Sequence, residues 1–330
     1  MNSFIASTFC RRWMAIAACV SCLLHTVIGS SQVPPEEPLI AATVNGIPIL
    51  VTEVERELQA AFGTREIDAP AKPLFQAKTL AQLIDRRLIV QWLRATGRGA
   101  AEAEIDLEIS RLERRLQPRG ITLAAHLASR QITAAEMRRM LEWQIGWRKF
   151  LARYLTDKNL EKYFNDHRRE FDGTRIRVAH ILFKVEGEEA SSVEQAVRHA
   201  AEIRESIVSG TVSFEEAAKR HSAAPTSSRG GDIGFIERHK PMHEAFSRTA
   251  FELNKDEVSS PVITPFGVHL IRCNEIEPGQ RMWQEVRDEL ITAVTLYLFN
   301  WAAEQDRPKA EIRYTKAIPH FAAGSEELAK

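Results

Sequence analysis

Leu80, Leu83, Ile84, Leu88 and Trp92 recur at the three-and-four spacing that lines one face of a helix, and Gly97 marks its end. Helical patterns of this kind fill the chain from Thr52 to about residue 170. A first helix runs Thr52–Phe62, with the Thr52 hydroxyl in capping position. Residues 101–116 form a charged amphipathic helix stopped at Pro118-Arg119-Gly120. Thr122–Ser129 is a short helix, and Thr133 caps a longer one through Trp143, Ile145, Phe150 and Leu155. Asp157 starts the last of the series. Before all of them, 40–51 (IAATVNGIPILV read from Ile40) gives strand, turn and strand, with Asn45-Gly46 at the turn.

The periodicity then changes. Ile176–Val185 alternates apolar and polar residues, as a half-buried strand does. Ser191–Ser209 is an amphipathic helix ending at Gly210, and Ser213 with Glu216 has capping-box spacing. GDIGFI is a turn and short strand, HEAFSRTAF a helix after Pro241, and SPVIT with GVHLIRC a hairpin joined through Pro265-Phe266. The tail holds a helix over Arg281–Glu304, with Val286, Leu290, Val294, Tyr297, Leu298 and Trp301 on one face. A strand at 309–315 follows and is expected to pair with 40–51.

The chain has 330 residues, room for two cores, and Lys+Arg and Asp+Glu are both 44. This balance supplies no basic field for nucleic acid. Arg11 and Arg12 precede an apolar stretch from Trp13 to Gly29, and Val27 and Gly29 stand at −3 and −1 before Ser30. That is the layout of a cleaved export signal over 1–29; an uncleaved anchor and lipid attachment at Cys19 are the alternatives. Cys10, Cys19 and Cys22 lie in this leader, so its removal leaves Cys273 alone and the fold without an internal disulfide. The bland reading of Cys273 is a small buried strand residue.

His180 and His269 each sit in an apolar, β-branched run, far apart in sequence. Pairing of the two runs as neighbouring strands brings the imidazoles side by side under the Gly-rich loop SSRGGDIGF. A strand histidine is most often a satisfied structural residue, so both roles stand open. The pair lacks the carboxylate and third ligand of a zinc site, and RGGDIG does not bridge a strand to a helix start as a nucleotide loop does.

VAHILF, SFEEAAKRHS, SSRGGDIGF and SPVITPFGVHLIR, in that order from Val178 to Arg272, resemble parvulin, the small peptidyl-prolyl cis-trans isomerase module. VNGIPILVTEVERELQ is similar to the opening of SurA- and PrsA-like foldases. The resemblance implies an α+β chain: a βαααββ-type parvulin domain with an antiparallel sheet and surrounding helices, inserted in a mainly α-helical chaperone domain. The boundaries expected are a leader at 1–29, helical chaperone at 30–171, isomerase at 172–276, and a helix and strand at 277–330 packing on the N-terminal domain.

It also implies the chemistry. X-Pro bonds cross between isomers over a barrier of about 18–20 kcal/mol, set by amide resonance. A catalyst need only hold the twisted amide better than the planar one. The resemblance makes Met242 and Phe246, four apart on one helix face, the proline-binding pair, with Ile233 beneath them and Phe266 as a wall. His180 and His269, linked through the Thr264 hydroxyl, form the polar floor. Where parvulins carry Asp or Cys, this chain has Ala224; Ser222, Thr226, Ser227 and Ser228 are the nearby hydroxyls. Weakened catalysis is therefore expected. The function implied is an exported periplasmic or envelope foldase with chaperone activity, or a peptide-binding chaperone without catalysis. Its partners are unfolded or extended proline-containing polypeptides, with no cofactor, no metal and no nucleic acid, and membrane contact only through an uncleaved leader. KVEGEEASS has no basic cluster for phosphorylated substrates.

Overall fold

A computed structural model describes residues 38–329 apart from 64, 66, 186–189 and 323–327. The expected leader at 1–29 and part of KVEGEEASS lie outside the described residues. The chain divides into two compact units, one over Asp157–Thr292 and one built from the chain before and after it.

In the latter unit, β1 (Ile40–Val44) and β2 (Ile47–Leu50) form a hairpin. Asn45 and Gly46 both take positive φ, as a two-residue hairpin turn requires. β2 runs directly into α1 (Val51–Phe62), so Leu50 holds the N-cap position without a side-chain cap. Thr52, the expected cap, falls inside the first turn, because no loop separates strand from helix. α2 (Lys72–Ala95), α3 (Glu102–Leu116), α4 (Leu123–Ser129) and α5 (Ala134–Tyr154) follow. Thr133 caps as expected, in a reciprocal box with Glu136, whereas Thr122, read as the first residue of its helix, stands one position earlier as its cap. Val44, Ile49, Val54, Leu80, Ile84 and Leu88 lie in one core cluster. Trp143 stacks on Trp147 at 5.3 Å and Trp147 on Phe150 at 5.4 Å, so the aromatic run is interior.

The Asp157–Thr292 unit opens with α6 (Asp157–Asp166) and α7 (Arg168–Phe171), broken at His167. Then come β3 (Arg175–Phe183), α8 (Ala190–Val208), α9 (Phe214–His221), β4 (Asp232–Glu237), α10 (Glu244–Glu252), β5 (Val262–Thr264) and β6 (Gly267–Glu277). The sheet is antiparallel in the order β4-β3-β6-β5. Strand alternation sends Ile176, Val178, Ile271 and Cys273 to the face covered by α10, where Phe246, Ala250 and Phe251 pack. Ala179, Ile181, Phe183, Val268 and Leu270 face Phe214, Ala217 and Ala218 of α9 and Ala200 of α8. Cys273 is buried, as its strand position demands.

A backbone clasp joins the two ends of this sheet domain. Asp172 Oδ1 accepts from the Thr174 amide at 2.8 Å and its hydroxyl at 2.6 Å. The Asp172 carbonyl accepts from the Arg281 amide at 2.9 Å, and the Gly279 amide donates to Thr174 Oγ1 at 3.0 Å. A Cβ on Gly279 would lie 2.0 Å from the Asp172 carbonyl oxygen, so only glycine passes here.

The last helix, α11 (Arg287–Glu304), starts six residues later than the periodicity predicts, the preceding residues being held in turns. Val286, Leu290, Val294 and Leu298 are buried, but Tyr297 and Trp301 are exposed. The helix is apolar nearly all round, which blurs its inward stripe. Phe299 meets Trp143 and Trp147 edge-on. β7 (Ile312–Tyr314) lies antiparallel to β1, completing a sheet of order β2-β1-β7.

Candidate active site

β3 and β6 bring His180 and His269 to the α10 face. In register His180 opposes Ile271 and His269 opposes Leu182, so the two histidines are diagonal neighbours on one face. Their rings lie 15° from parallel, and Nδ1 meets Nδ1 at 3.2 Å. Thr264 of β5 stands on the other side of His269, its Oγ1 2.8 Å from Nε2. The order is thus His180–His269–Thr264. The expected bridge through Thr264 is replaced by direct ring contact, because the diagonal across β3 and β6 is shorter than a path through β5.

Two facing Nδ1 atoms need one proton between them. The Thr264 hydroxyl accepts from the Phe266 amide at 3.1 Å and reaches the Gly267 carbonyl at 3.3 Å. If it donates to that carbonyl, His269 Nε2–H donates to Thr264 and His180 Nδ1–H donates to His269. If it donates to Nε2, both imidazole bonds reverse. The ladder has two neutral tautomeric settings. Burial pushes the His269 pKa down to about 4, helped by His180 and His243, and burial lowers that of His180. Both rings are neutral at pH 7.

Phe246 closes the site above, edge-on to both imidazoles at 5.7 and 5.4 Å. Met242 and Ile233 are half-buried against the same cluster. Met242 is not on the helix: α10 starts at Glu244, with His243 as its N-cap, and Met242 packs from the bend before it against the cluster that holds Phe246. Phe266 is 70% exposed at the tip of the β5–β6 turn.

The loop after α9 seals the flank of β3. The Ala223 amide donates to the Leu182 carbonyl at 2.8 Å, and Ser222 Oγ accepts from the Leu182 and Ala224 amides at 3.0 and 3.2 Å. Ser222 is therefore engaged by backbone. The Ala224 methyl is buried at 3% exposure. Thr226 Oγ1 is buried with no hydrogen-bond partner among the described residues.

Two residues escaped the sequence pattern. Gly231 sits at φ +81°, its carbonyl accepts from the His180 amide at 3.0 Å, and a Cβ there would lie 2.3 Å from the His180 carbonyl oxygen. Its signal was the Gly230-Gly231 doublet. His243 caps α10, Nδ1 accepting from the Ala245 amide at 3.3 Å. Its only signal was a polar residue just before an acidic first turn. Among the described residues no cluster of three or more His, Cys, Asp or Glu could hold a metal ion, and no helix is long and apolar enough to cross a membrane.

Residues 180–275, which hold this apolar roof and neutral polar floor, match the family model of the PPIC-type PPIase domain, the rotamase. The chain is also similar to foldases and chaperones. Foldase protein PrsA 1 of Bacillus cereus is 32% identical over 148 residues, 44% of this chain and 44% of that protein. Chaperone SurA of Aromatoleum aromaticum is 38% identical over 115 residues, 35% of this chain and 24% of that protein. The matches span less than half the length of these two relatives. The crystal structure of a peptidylprolyl isomerase, PrsA from Bacillus anthracis, aligns with 70% of this chain and 96% of its own at 19% identity and a TM-score of 0.34.

Proposed function

We propose that the module interconverts cis and trans X-Pro bonds of unfolded polypeptides, and that the whole chain is an exported foldase and chaperone of the periplasm or cell envelope. In this reading 1–29 is the leader, 172–276 the isomerase, and 30–171 with 277–330 the chaperone flanks. The observation that carries it is the neutral His180–His269–Thr264 ladder beneath Phe246. Phe246, Met242 and Ile233 grip the pyrrolidine ring, and Phe266 walls the open side. The neutral floor places no cation on the amide oxygen, where positive charge would reinforce planar resonance. No covalent step is needed, since holding the twisted amide in an apolar site lowers the barrier.

A second reading is favoured by Ala224: a buried methyl stands where the resemblance implies an acid or thiol, and the neighbouring Ser222 hydroxyl is engaged. The chain is then a non-catalytic peptide-binding chaperone. NMR exchange spectroscopy on a short X-Pro peptide with the full chain decides. Accelerated exchange supports the enzyme. Shifted peptide signals without acceleration support the binding module, and the absence of both effects overturns both readings.

A further inference from the structure

Between β4 and α10 the chain makes a bend, residues 238–243, that carries Met242 to the roof of the site. Arg238 and Glu244 stand at its two ends. The Arg238 side chain is only 7% exposed, and burial of an unpaired guanidinium is costly. Here its fork is matched: Nη1 donates to Glu244 Oε2 at 3.0 Å and Nη2 to Glu244 Oε1 at 2.7 Å. Nε donates to Glu170 Oε2 of α7 at 3.2 Å, and Glu170 Oε1 meets His167 Nδ1 at 3.0 Å. Glu244 is the first residue of α10, next to the His243 cap and two before Phe246. The amide and carbonyl of Glu237 also pair with those of Lys240 across the start of the bend.

We propose that Arg238 is a positioning residue for the proline pocket: its bidentate grip on Glu244 staples the base of the Met242 bend and sets the direction in which α10 carries Phe246. Arg238 touches neither imidazole in this arrangement and acts through Glu244. The anchoring end is Glu170, which ties the same guanidinium to the helix ahead of β3. The carboxylate partners outweigh burial and raise the Arg238 pKa, while the guanidinium lowers that of Glu244 against burial. Both groups stay charged across the working range, so the staple does not depend on pH near neutrality.

The inference rests on the proposed isomerase reading, and its test separates the two. Arg238→Lys keeps the charge and loses the fork; Glu244→Gln keeps the shape and loses the charge. With the full chain and an Ala-Phe-Pro-Phe peptide, both variants raise KM at least fivefold while kcat stays within twofold, because the imidazole ladder is intact. The NMR signals of His180 and His269 remain in place, which excludes general misfolding. Amide hydrogen exchange at residues 242–247 accelerates at least tenfold in Arg238→Lys. Unchanged KM, or a fall in kcat with KM intact, overturns the proposal while leaving the enzyme. Unchanged hydrogen exchange overturns it whether or not the wild type turns over, and a wild type that neither binds nor accelerates the peptide instead ends the functional reading.

Discussion

Acid should loosen the module by charging its imidazole ladder. The His269 pKa falls from 6.5 to about 4 in the fold, chiefly through burial. A depressed folded-state pKa means that the neutral ring stabilises the fold fully above pH 6.5, and that this contribution is lost as pH falls through 4. The difference is worth about 2 kcal/mol at pH 5 and about 3 kcal/mol at pH 4, at 1.36 kcal/mol per unit. His180 is shifted in the same direction and adds to the loss. The Nδ1–Nδ1 contact sharpens the effect, since a second proton would place two cationic rings face to face. The assay follows histidine ring signals by NMR from pH 8 to 3.5, with urea unfolding of the module's amides at pH 7, 6, 5 and 4. A His269 midpoint near 4 and a falling urea midpoint are expected. Titration of His269 near pH 6.5, or a constant urea midpoint from pH 7 to 5, would refute the burial argument.

Gly231→Ala should cost about 3 kcal/mol or more, through left-handed strain and collision with the His180 carbonyl; an unchanged melting temperature would show that the loop yields freely. Ala224→Asp should raise kcat/KM severalfold while costing about 1–3 kcal/mol of stability for a buried polar group; an unaltered rate would sever that position from catalysis. Asp85 of α2 pairs with Arg307 near Glu304, and burial lifts its pKa from 3.8 to about 6. A raised carboxylate stabilises fully below pH 3.8 and loses that contribution as pH rises through 6, here about 3 kcal/mol. Asp85→Asn should flatten the dependence of urea midpoint on pH between 4 and 7 at α2 amides, and an equally steep curve would count against burial as the cause.

Much of the module was legible because its signals are local. Alternation in Ile176–Val185 and the SPVIT–GVHLIRC hairpin sufficed to bring His180 and His269 together, and the cap at Ser213, like that at Thr133 in the other unit, marks a helix start with its own side chain. What escaped depends on contacts distant in sequence. The diagonal offset of the histidines follows from a register interrupted at Arg177/Val178, which a hydrophobic pattern does not encode. Met242 and Phe246 at a spacing of four read as one helix face, yet the His243 cap starts α10 between them. Arg238 looked like any charged residue in ERHK, and only the fold supplies Glu170 and Glu244 to neutralise it. Thr52 misled because a capping residue type two positions past the true cap, Leu50, looks the same as a cap.

The clasp of Asp172 and Thr174 with Gly279 and Arg281 has a bearing on descent as well as on stability. With first and last strands fastened at one point, some hundred intervening residues return the chain to where they took it up. Such a stretch is portable: it can be spliced into a host fold, lost from it or duplicated in tandem, and the host need bridge only a gap the width of one turn. Excision between Asp172 and Arg281 leaves ends already within hydrogen-bonding distance of one another.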